Sequence, residues 1–152
     1  MRDGWGGAGL DYLNLFRDPI ATTTSRTRDG TVDDYDGVWG KPVVPLVVVP
    51  LVNERSTSGK EMFAYGFRKL SLGPVVGSRT AGAVVGGSPR LLPNGDLLYL
   101  AVVDVAIDGE RLEGVGVHPD VVVERPIPYA AGADPQLEAA VEVALAQLAA
   151  MP

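Results

Sequence analysis

The sequence is most informative in what it lacks. It has no cysteine and a single histidine, His118. Disulfide bonds, thiol catalysis and zinc–thiolate sites are therefore excluded, and a mechanism with a histidine base depends on His118 or on a residue outside the chain. Basic residues are few, with 13 Lys and Arg against 19 Asp and Glu, a net charge of −6. No broad basic surface is available for nucleic acid or for an anionic membrane.

A long apolar run is also missing. The most apolar stretch, residues 43–52, is interrupted by Pro45 and Pro50 and is too short to cross a bilayer. Its β-branched residues instead predict a buried strand. The first residues include no apolar targeting segment. We therefore expect no membrane partner, and a cysteine-free acidic chain suits the cytoplasm.

The residues that are present describe an α/β domain. A chain of 152 residues with 46% apolar residues can build one buried core. The pattern predicts a short helix at 10–16, a polar surface loop at 19–40 that can hold a hairpin, a helix at 59–70 and a strand at 75–76. A glycine-rich loop at 77–87 follows, then a hairpin around Pro93-Asn94-Gly95, a strand at 121–123 and a final helix opened by Asp134-Pro135. In that helix Leu137, Val141, Ala144 and Leu148 fall on one stripe.

The turn between the predicted buried strand and the helix at 59–70 is the strongest candidate for chemistry. It reads Asn53-Glu54-Arg55-Ser56-Thr57-Ser58-Gly59. A serine at such a turn lies beside the free amides of the first helical turn, which suits a nucleophile for acyl transfer. The alternative is that Ser56, Thr57 or Ser58 only caps the helix. Ser56 and Lys60 are four residues apart, which is weak support for a serine–lysine pair.

Three other features carry weaker signals. The glycines of segment 4–9 allow close approach of backbone amides to a ligand, or form a flexible terminus. His118, beside Pro119, is expected at the surface. The acidic patch at Asp33, Asp34 and Asp36 predicts a solvated loop, with a metal site as the alternative. We expect no cofactor and no metal.

Four segments in order resemble one family. They are Arg2-Asp3-Gly4-Trp5-Gly6-Gly7, residues 49–61, residues 72–82, and Glu113-Gly114-Val115-Gly116-Val117-His118-Pro119-Asp120. Together they resemble the catalytic core of the C-terminal processing (tail-specific) serine peptidases, most closely the tricorn-protease-like branch. The segment Gly132 to Ala140 is similar to that branch as well.

The resemblance implies a Clp-protease/crotonase-like β-β-α core and an acyl-enzyme mechanism. Ser58 would be the nucleophile, with the amides of Gly59 and of the Gly6–Gly7 region as the oxyanion hole. Glu113 would be the acidic residue that orients the base. The implied partners are a peptide or protein substrate and further copies of the chain in a homo-oligomer.

Two departures from the family pattern concern the base. The tail-specific branch has a lysine about 25 residues after its serine, where this chain has Ala83, and no lysine follows Lys69. The tricorn-like branch has a serine–histidine pair upstream of the glycine segment, which this chain does not contain. We therefore interpret residues 1–152 as the C-terminal part of one peptidase domain, incomplete without its N-terminal part and inactive alone.

Two other functions remain open from sequence. The missing base favours a non-catalytic binding or assembly module of the same fold. An acyl-CoA enzyme of the crotonase type shares the fold, but the sequence shows no sign of a coenzyme pocket.

Overall fold

The computed structural model describes residues 1–3, 6–7, 10–16, 22–36, 47–125 and 132–151. Two sheets and two α-helices make up this part of the chain, so the expected α/β class is confirmed. The elements in chain order are a 3-10 helix (Leu10–Leu15), β1 (Thr22–Thr27), β2 (Val32–Asp36), β3 (Leu51–Val52), α1 (Gly59–Lys69), β4 (Val76–Gly77), β5 (Gly86–Leu91), β6 (Leu97–Ile107), β7 (Glu110–Arg111), β8 (Val121–Val122) and α2 (Pro135–Ala149).

The smaller sheet is parallel and positions the serine turn. Its strand order is β3-β4-β8, with Leu51 opposite Val76 and Val76 opposite Val121. Val52, Val75 and Val76 are fully buried. The carboxyl end of β3 leads directly into residues 53–58, so the serine turn starts from a fixed, buried strand end.

The larger sheet is antiparallel, with the order β2-β1-β6-β5 and β7 paired to β6. Strands β1 and β2 form a hairpin inside the polar stretch 19–40, as the sequence allowed. The hairpin of β5 and β6 around Pro93-Asn94-Gly95 is also confirmed. Its distal part is solvent-exposed and apolar at Leu91, Leu97 and Tyr99.

A cluster of aromatic rings joins α1 to the 3-10 helix. Phe16 lies edge-on to Phe67 at 5.4 Å between ring centroids, and Phe63 stacks on Phe67 at 5.8 Å. Leu10 and Leu13 of the 3-10 helix are buried in the same core. This packing fixes the position of α1, whose first residue follows Ser58.

The prediction of a long strand at 43–52 is wrong about its length. Only Leu51–Val52 is strand, residues 47–50 have no regular structure, and residues 43–46 lie outside the described residues. Pro50 has no backbone N–H, so it cannot donate to a strand ladder. The paired segment therefore begins immediately after it.

The apolar stripe of α2 faces solvent. Leu137, Val141 and Leu148 are 47%, 49% and 52% exposed, whereas Gln136 and Ala140 are buried. Gln136 donates from Nε2 to the Val123 carbonyl at 2.8 Å. The helix is thus anchored by polar contacts of its first turn rather than by its periodic apolar residues. Neither helix in the described residues has the length and apolar character to cross a membrane.

Gly77 gives a direct test of the parallel sheet. Its φ is +137°, and a Cβ there would collide with the Val52 carbonyl. We expect Gly77→Ala to lower the free energy of unfolding by more than about 3 kcal/mol, because backbone conformation and strand spacing are both violated. Gly109→Ala is the control, since Gly109 also has a positive φ, +80°, but open space around it. Its expected cost is about 1 kcal/mol. Equal losses in urea unfolding would contradict the close contact of β3 and β4.

Candidate active site

Ser58 has an unusual backbone conformation. It stands at the N-cap of α1 with φ 54° and ψ −128°, a combination that non-glycine residues rarely adopt. Strain of this kind occurs where the surrounding structure imposes it, often at functional sites, and a sharp strand-to-helix turn presents a nucleophilic serine in other enzymes. The sequence left open whether a serine of this turn caps the helix or acts as a nucleophile. Ser58 fits both interpretations, because it is the N-cap residue of α1 and also the candidate nucleophile.

Ser56 is a structural residue. It is fully buried, and its Oγ accepts from the Asn53 N–H at 3.0 Å and donates to the Met1 carbonyl at 3.1 Å. Its backbone carbonyl accepts from the Ala81 N–H at 3.1 Å. The structure therefore removes Ser56 from the candidate nucleophiles, and with it the suggested pairing of Ser56 with Lys60.

Two of the three predicted oxyanion glycines, Gly6 and Gly59, lie beside Ser58, whereas a Cβ built on Gly7 would have open space around it. A Cβ placed on Gly6 would be 2.5 Å from Ser58 Cβ, 2.7 Å from Ser58 Oγ and 3.0 Å from the Gly59 nitrogen. Only glycine fits so close to the hydroxyl. Within the described residues, the Gly59 N–H has no hydrogen-bond acceptor, as expected for the first position of a helix. The structure thus brings Gly6, from the N-terminal segment, next to Ser58 and Gly59 at the start of α1.

Polar contacts of the first three residues hold the glycine segment in place. The Asp3 carboxylate accepts from Arg125 at 2.6 Å, and its backbone N–H donates to Asn53 Oδ1 at 3.2 Å. The hydrogen bond from Arg125 lowers the pKa of Asp3. Lys60 Nζ donates to the Asp3 carbonyl. Lys60 therefore serves the N-terminal segment in this structure rather than the Ser58 hydroxyl.

Arg2 makes the longest-range contact of this segment. Its two terminal nitrogens each donate to one oxygen of Asp134 at 2.6 Å. Asp134 is the N-cap of α2 and also accepts from the Leu137 N–H at 3.0 Å. The bond from Arg2, with the amide of Leu137, lowers the pKa of Asp134 to about 2. One carboxylate thus fixes both the start of α2 and the start of the chain.

Glu113 lies near the site but is bound to backbone. Its Oε2 accepts from the Val84 and Val85 amides at 2.8 and 2.9 Å. Ala83, the next residue back, accepts from the Ser58 N–H at 2.8 Å. The position at which the tail-specific enzymes have lysine therefore does lie beside Ser58, with an alanine in it. A role for Glu113 in orienting a base stays a prediction.

Sequence reasoning missed Glu61. This residue of the first turn of α1 is fully buried, and its carboxylate accepts four hydrogen bonds. The only sequence signal is its position three residues after Ser58, the spacing of a helix capping box. The other donors to the Glu61 carboxylate come from residues 80–83, about twenty positions further along the chain. The spacing of Ser58 and Glu61 alone could not identify these donors.

Among the described side chains, neither His118 nor the acidic patch forms a hydrogen bond with Ser58. His118 is exposed, as expected of a histidine beside a proline. Asp34 accepts from the Thr24 hydroxyl at 2.7 Å across the β1–β2 hairpin. In the described part of the chain, no group of three or more His, Cys, Asp or Glu residues could hold a metal ion.

An open, mainly apolar pocket of about 430 Å³ adjoins the glycine segment. Gly7, the neighbour of the glycine that contacts Ser58, forms part of its wall, and Lys60 also lines it. The apolar lining comes from the 3-10 helix with its following residue, the segment before β3, and α1: Tyr12, Leu15, Phe16, Val48, Pro50 and Phe63.

The candidate site is therefore a strained serine at a strand-to-helix turn, with Gly6 against its hydroxyl. Residues 1–123 match the model of Peptidase family S41. The chain is 41% identical over 127 residues to the Tricorn protease of Thermoplasma volcanium, a match that covers 80% of this chain and 12% of that protein. The chain belongs to peptidase family S41.

Solved structures agree with this assignment. The crystal structure of the tricorn protease matches 97% of this chain and 14% of that chain, at a TM-score of 0.61 and 28% identity. The photosystem II D1 C-terminal processing protease matches 94% of this chain and 37% of that chain, at a TM-score of 0.63 and 25% identity. The resemblance to the tricorn and C-terminal processing enzymes is confirmed. The chain spans 10–13% of the length of the tricorn relatives it matches.

The Arg2–Asp134 pair predicts a pH-dependent contribution to stability. Because the pKa of folded Asp134, about 2, is below the ordinary aspartate value, the pair stabilises the fold above about pH 4 and loses this contribution as the pH falls to about 2. Asp134→Asn keeps a good N-cap and removes the charge. We expect a loss on the order of 1 kcal/mol at pH 7, measured by urea unfolding, that disappears near pH 2.

Glu138→Gln is the control for that experiment, because Glu138 also lies in the first turn of α2 and makes no contact with Arg2. A difference between wild type and Asp134→Asn that persists unchanged down to pH 2 would contradict the ionic contribution.

Proposed function

We propose that this chain carries the nucleophile and the oxyanion hole of a serine peptidase. Ser58 Oγ attacks the carbonyl carbon of a peptide bond, and its proton passes to a base. The Gly59 N–H and an N–H of the Gly6–Gly7 segment stabilise the oxyanion of the tetrahedral intermediate, each worth about 3 kcal/mol by analogy with known oxyanion donors. The base gives this proton to the leaving amine, and water then hydrolyses the acyl-enzyme, which releases the carboxylic acid and restores the Ser58 hydroxyl. The observation that carries this proposal is the strained Ser58 with Gly6 against its hydroxyl.

The base comes from outside the described residues. Among these, no imidazole, amine or carboxylate forms a hydrogen bond with Ser58 Oγ. The nearest basic side chain in the sequence, Lys60, donates to the Asp3 carbonyl instead. A serine without a base is a weak nucleophile. The chain alone is therefore expected to cleave peptides poorly, and the complete enzyme to combine this part with a base-bearing segment, as the tricorn resemblance implies.

An exogenous base makes this proposal testable on the chain itself. A fluorophosphonate probe forms a bond between Ser58 Oγ and phosphorus as fluoride leaves. We expect slow labelling that accelerates as imidazole is added, and none in Ser58→Ala, measured by mass spectrometry of the labelled peptide.

Ser71→Ala is the matched control for Ser58→Ala, because Ser71 has the same φ of 54° at the other end of α1 and is exposed. It should label like wild type. Labelling that survives in Ser58→Ala, or that ignores imidazole, would overturn the assignment of the nucleophile or of the missing base.

The apolar pocket indicates which substrate residue lies beside the scissile bond. Gly7 borders the pocket next to the residue that contacts Ser58, so a substrate carbonyl held at Ser58 would place an adjacent side chain near this opening. Burial of a Leu or Phe side chain is worth about 1.5–3 kcal/mol. The pocket supports a preference for large apolar residues.

A variant that fills the pocket tests this preference. Leu15, which is 40% exposed, lines the opening, so Leu15→Trp can occupy it without removing core contacts. We expect acyl-transfer inhibitors ending in Phe or Leu aldehydes to bind at least tenfold more weakly, and an Ala aldehyde to be unaffected. Leu145→Trp, on the exposed face of α2, should change neither. Equal weakening of all three aldehydes would contradict the specificity assignment.

The second candidate is a binding or assembly module of the same fold. It is favoured by the lack of a base among the described residues and by exposed apolar residues on the β5–β6 hairpin and α2. The imidazole experiment separates the two functions, because a module without a reactive serine would not label at any imidazole concentration. A homo-oligomer remains a proposal in either case.

A further inference from the structure

The Glu61 carboxylate is solvated entirely by the protein. The side chain is 0% exposed, and within the described residues no cation lies at hydrogen-bond distance. Oε1 accepts from the Thr80 hydroxyl at 2.5 Å and the Gly82 N–H at 2.7 Å. Oε2 accepts from the Ala83 N–H at 2.8 Å and the Ser58 N–H at 3.2 Å. Burial of a carboxylate is costly, and these four donors are what offset it.

The two bonds of Oε2 act on the serine turn. Ser58 donates its N–H to both Glu61 Oε2 and the Ala83 carbonyl, and Ala83 donates its own N–H to the same carboxylate oxygen. Glu61 therefore ties the backbone of Ser58 to residue 83 through a closed set of three hydrogen bonds. This set encloses the residue whose φ is 54°.

We propose that Glu61 is a positioning residue for Ser58. Its carboxylate holds Ser58 in the strained conformation that places Oγ beside Gly6 and the Gly59 N–H. Without this anchor, the backbone of Ser58 relaxes toward negative φ and carries Oγ away from both. This role rests on the proposed function of Ser58 as nucleophile, and it differs from that function because the Glu61 carboxylate contacts the Ser58 backbone N–H and not its hydroxyl.

Glu61→Met tests the role, because methionine is about as long as glutamate and its thioether is only a weak acceptor. The four groups around Glu61 all donate to its carboxylate. Glu61→Met therefore removes both hydrogen bonds of Oε2, whereas the amide oxygen of a glutamine could still accept from Ser58 and Ala83. Asp120→Asn is the control, because Asp120 accepts from the Val75 N–H and from Arg68 near the other end of α1 and is also a carboxylate that ties the helix to backbone.

The readout is the rate of fluorophosphonate labelling of folded protein in saturating imidazole, measured at least about 15 °C below each melting temperature. A merely structural role would lower the melting temperature and leave this rate unchanged. We expect Glu61→Met to label Ser58 at least tenfold more slowly than wild type, and Asp120→Asn to label within twofold of it even if its melting temperature falls as far. Wild-type labelling by Glu61→Met, or an equal loss in both variants, overturns the proposal.

Two further outcomes keep the test decisive. If wild type does not label at all, the proposed nucleophile fails, and hydrogen exchange of the Ser58 amide then decides the role of Glu61. Exchange at least tenfold faster in Glu61→Met than in Asp120→Asn supports the anchor, and equal exchange overturns it. If Glu61→Met does not fold, Glu61→Asp replaces it, because the shorter carboxylate keeps the charge but cannot reach Ser58 and residues 80–83 together.

Discussion

A buried carboxylate needs hydrogen-bond donors from the protein around it, and Glu61 takes its donors from two parts of the chain. Its donors come from the N-cap of α1 and from residues 80–83. Thr80 extends the network, because its Oγ1 also accepts from the Val117 N–H at 2.7 Å. The turn after β3, the segment after β4 and the segment before β8 therefore share one anchor. This arrangement fixes the serine turn more rigidly than the two-residue strands alone could do.

The other side of the site, formed by the Gly6–Gly7 segment, depends on ion pairs and polar hydrogen bonds rather than on a buried carboxylate. The Gly6–Gly7 segment follows three residues held by Arg125, Asn53, Lys60 and Asp134. These partly exposed pairs are individually weak. They act together on a segment only a few residues long, so each one limits the freedom of the glycines next to Ser58. The proposed site thus combines a firmly held serine turn with a glycine segment that is held by weaker contacts.

Local signals explain what the sequence predicted. The helix from Gly59, the hairpin at Asn94-Gly95 and the cap at Asp134 depend on neighbouring residues, and all three are confirmed. The family pattern predicted that Ser58 and Gly6 share one site, and the structure brings the two residues close together. The exposed stripe of α2 and the burial of Glu61 could not be predicted, because each depends on segments distant in the chain. Glu113 was only partly predictable. Its position near the site follows from the family pattern, but its hydrogen bonds to the Val84 and Val85 amides do not.

The ion pair of Arg2 with Asp134 joins residues 132 positions apart. Contacts of such separation raise the contact order of a fold and form late, because a long loop must close first. Arg2 is synthesised well before Asp134, so this contact can form only after the start of α2 has been made. The final position of residues 1–3, which precede the glycine that lies against Ser58, therefore depends on a helix that comes much later in the chain.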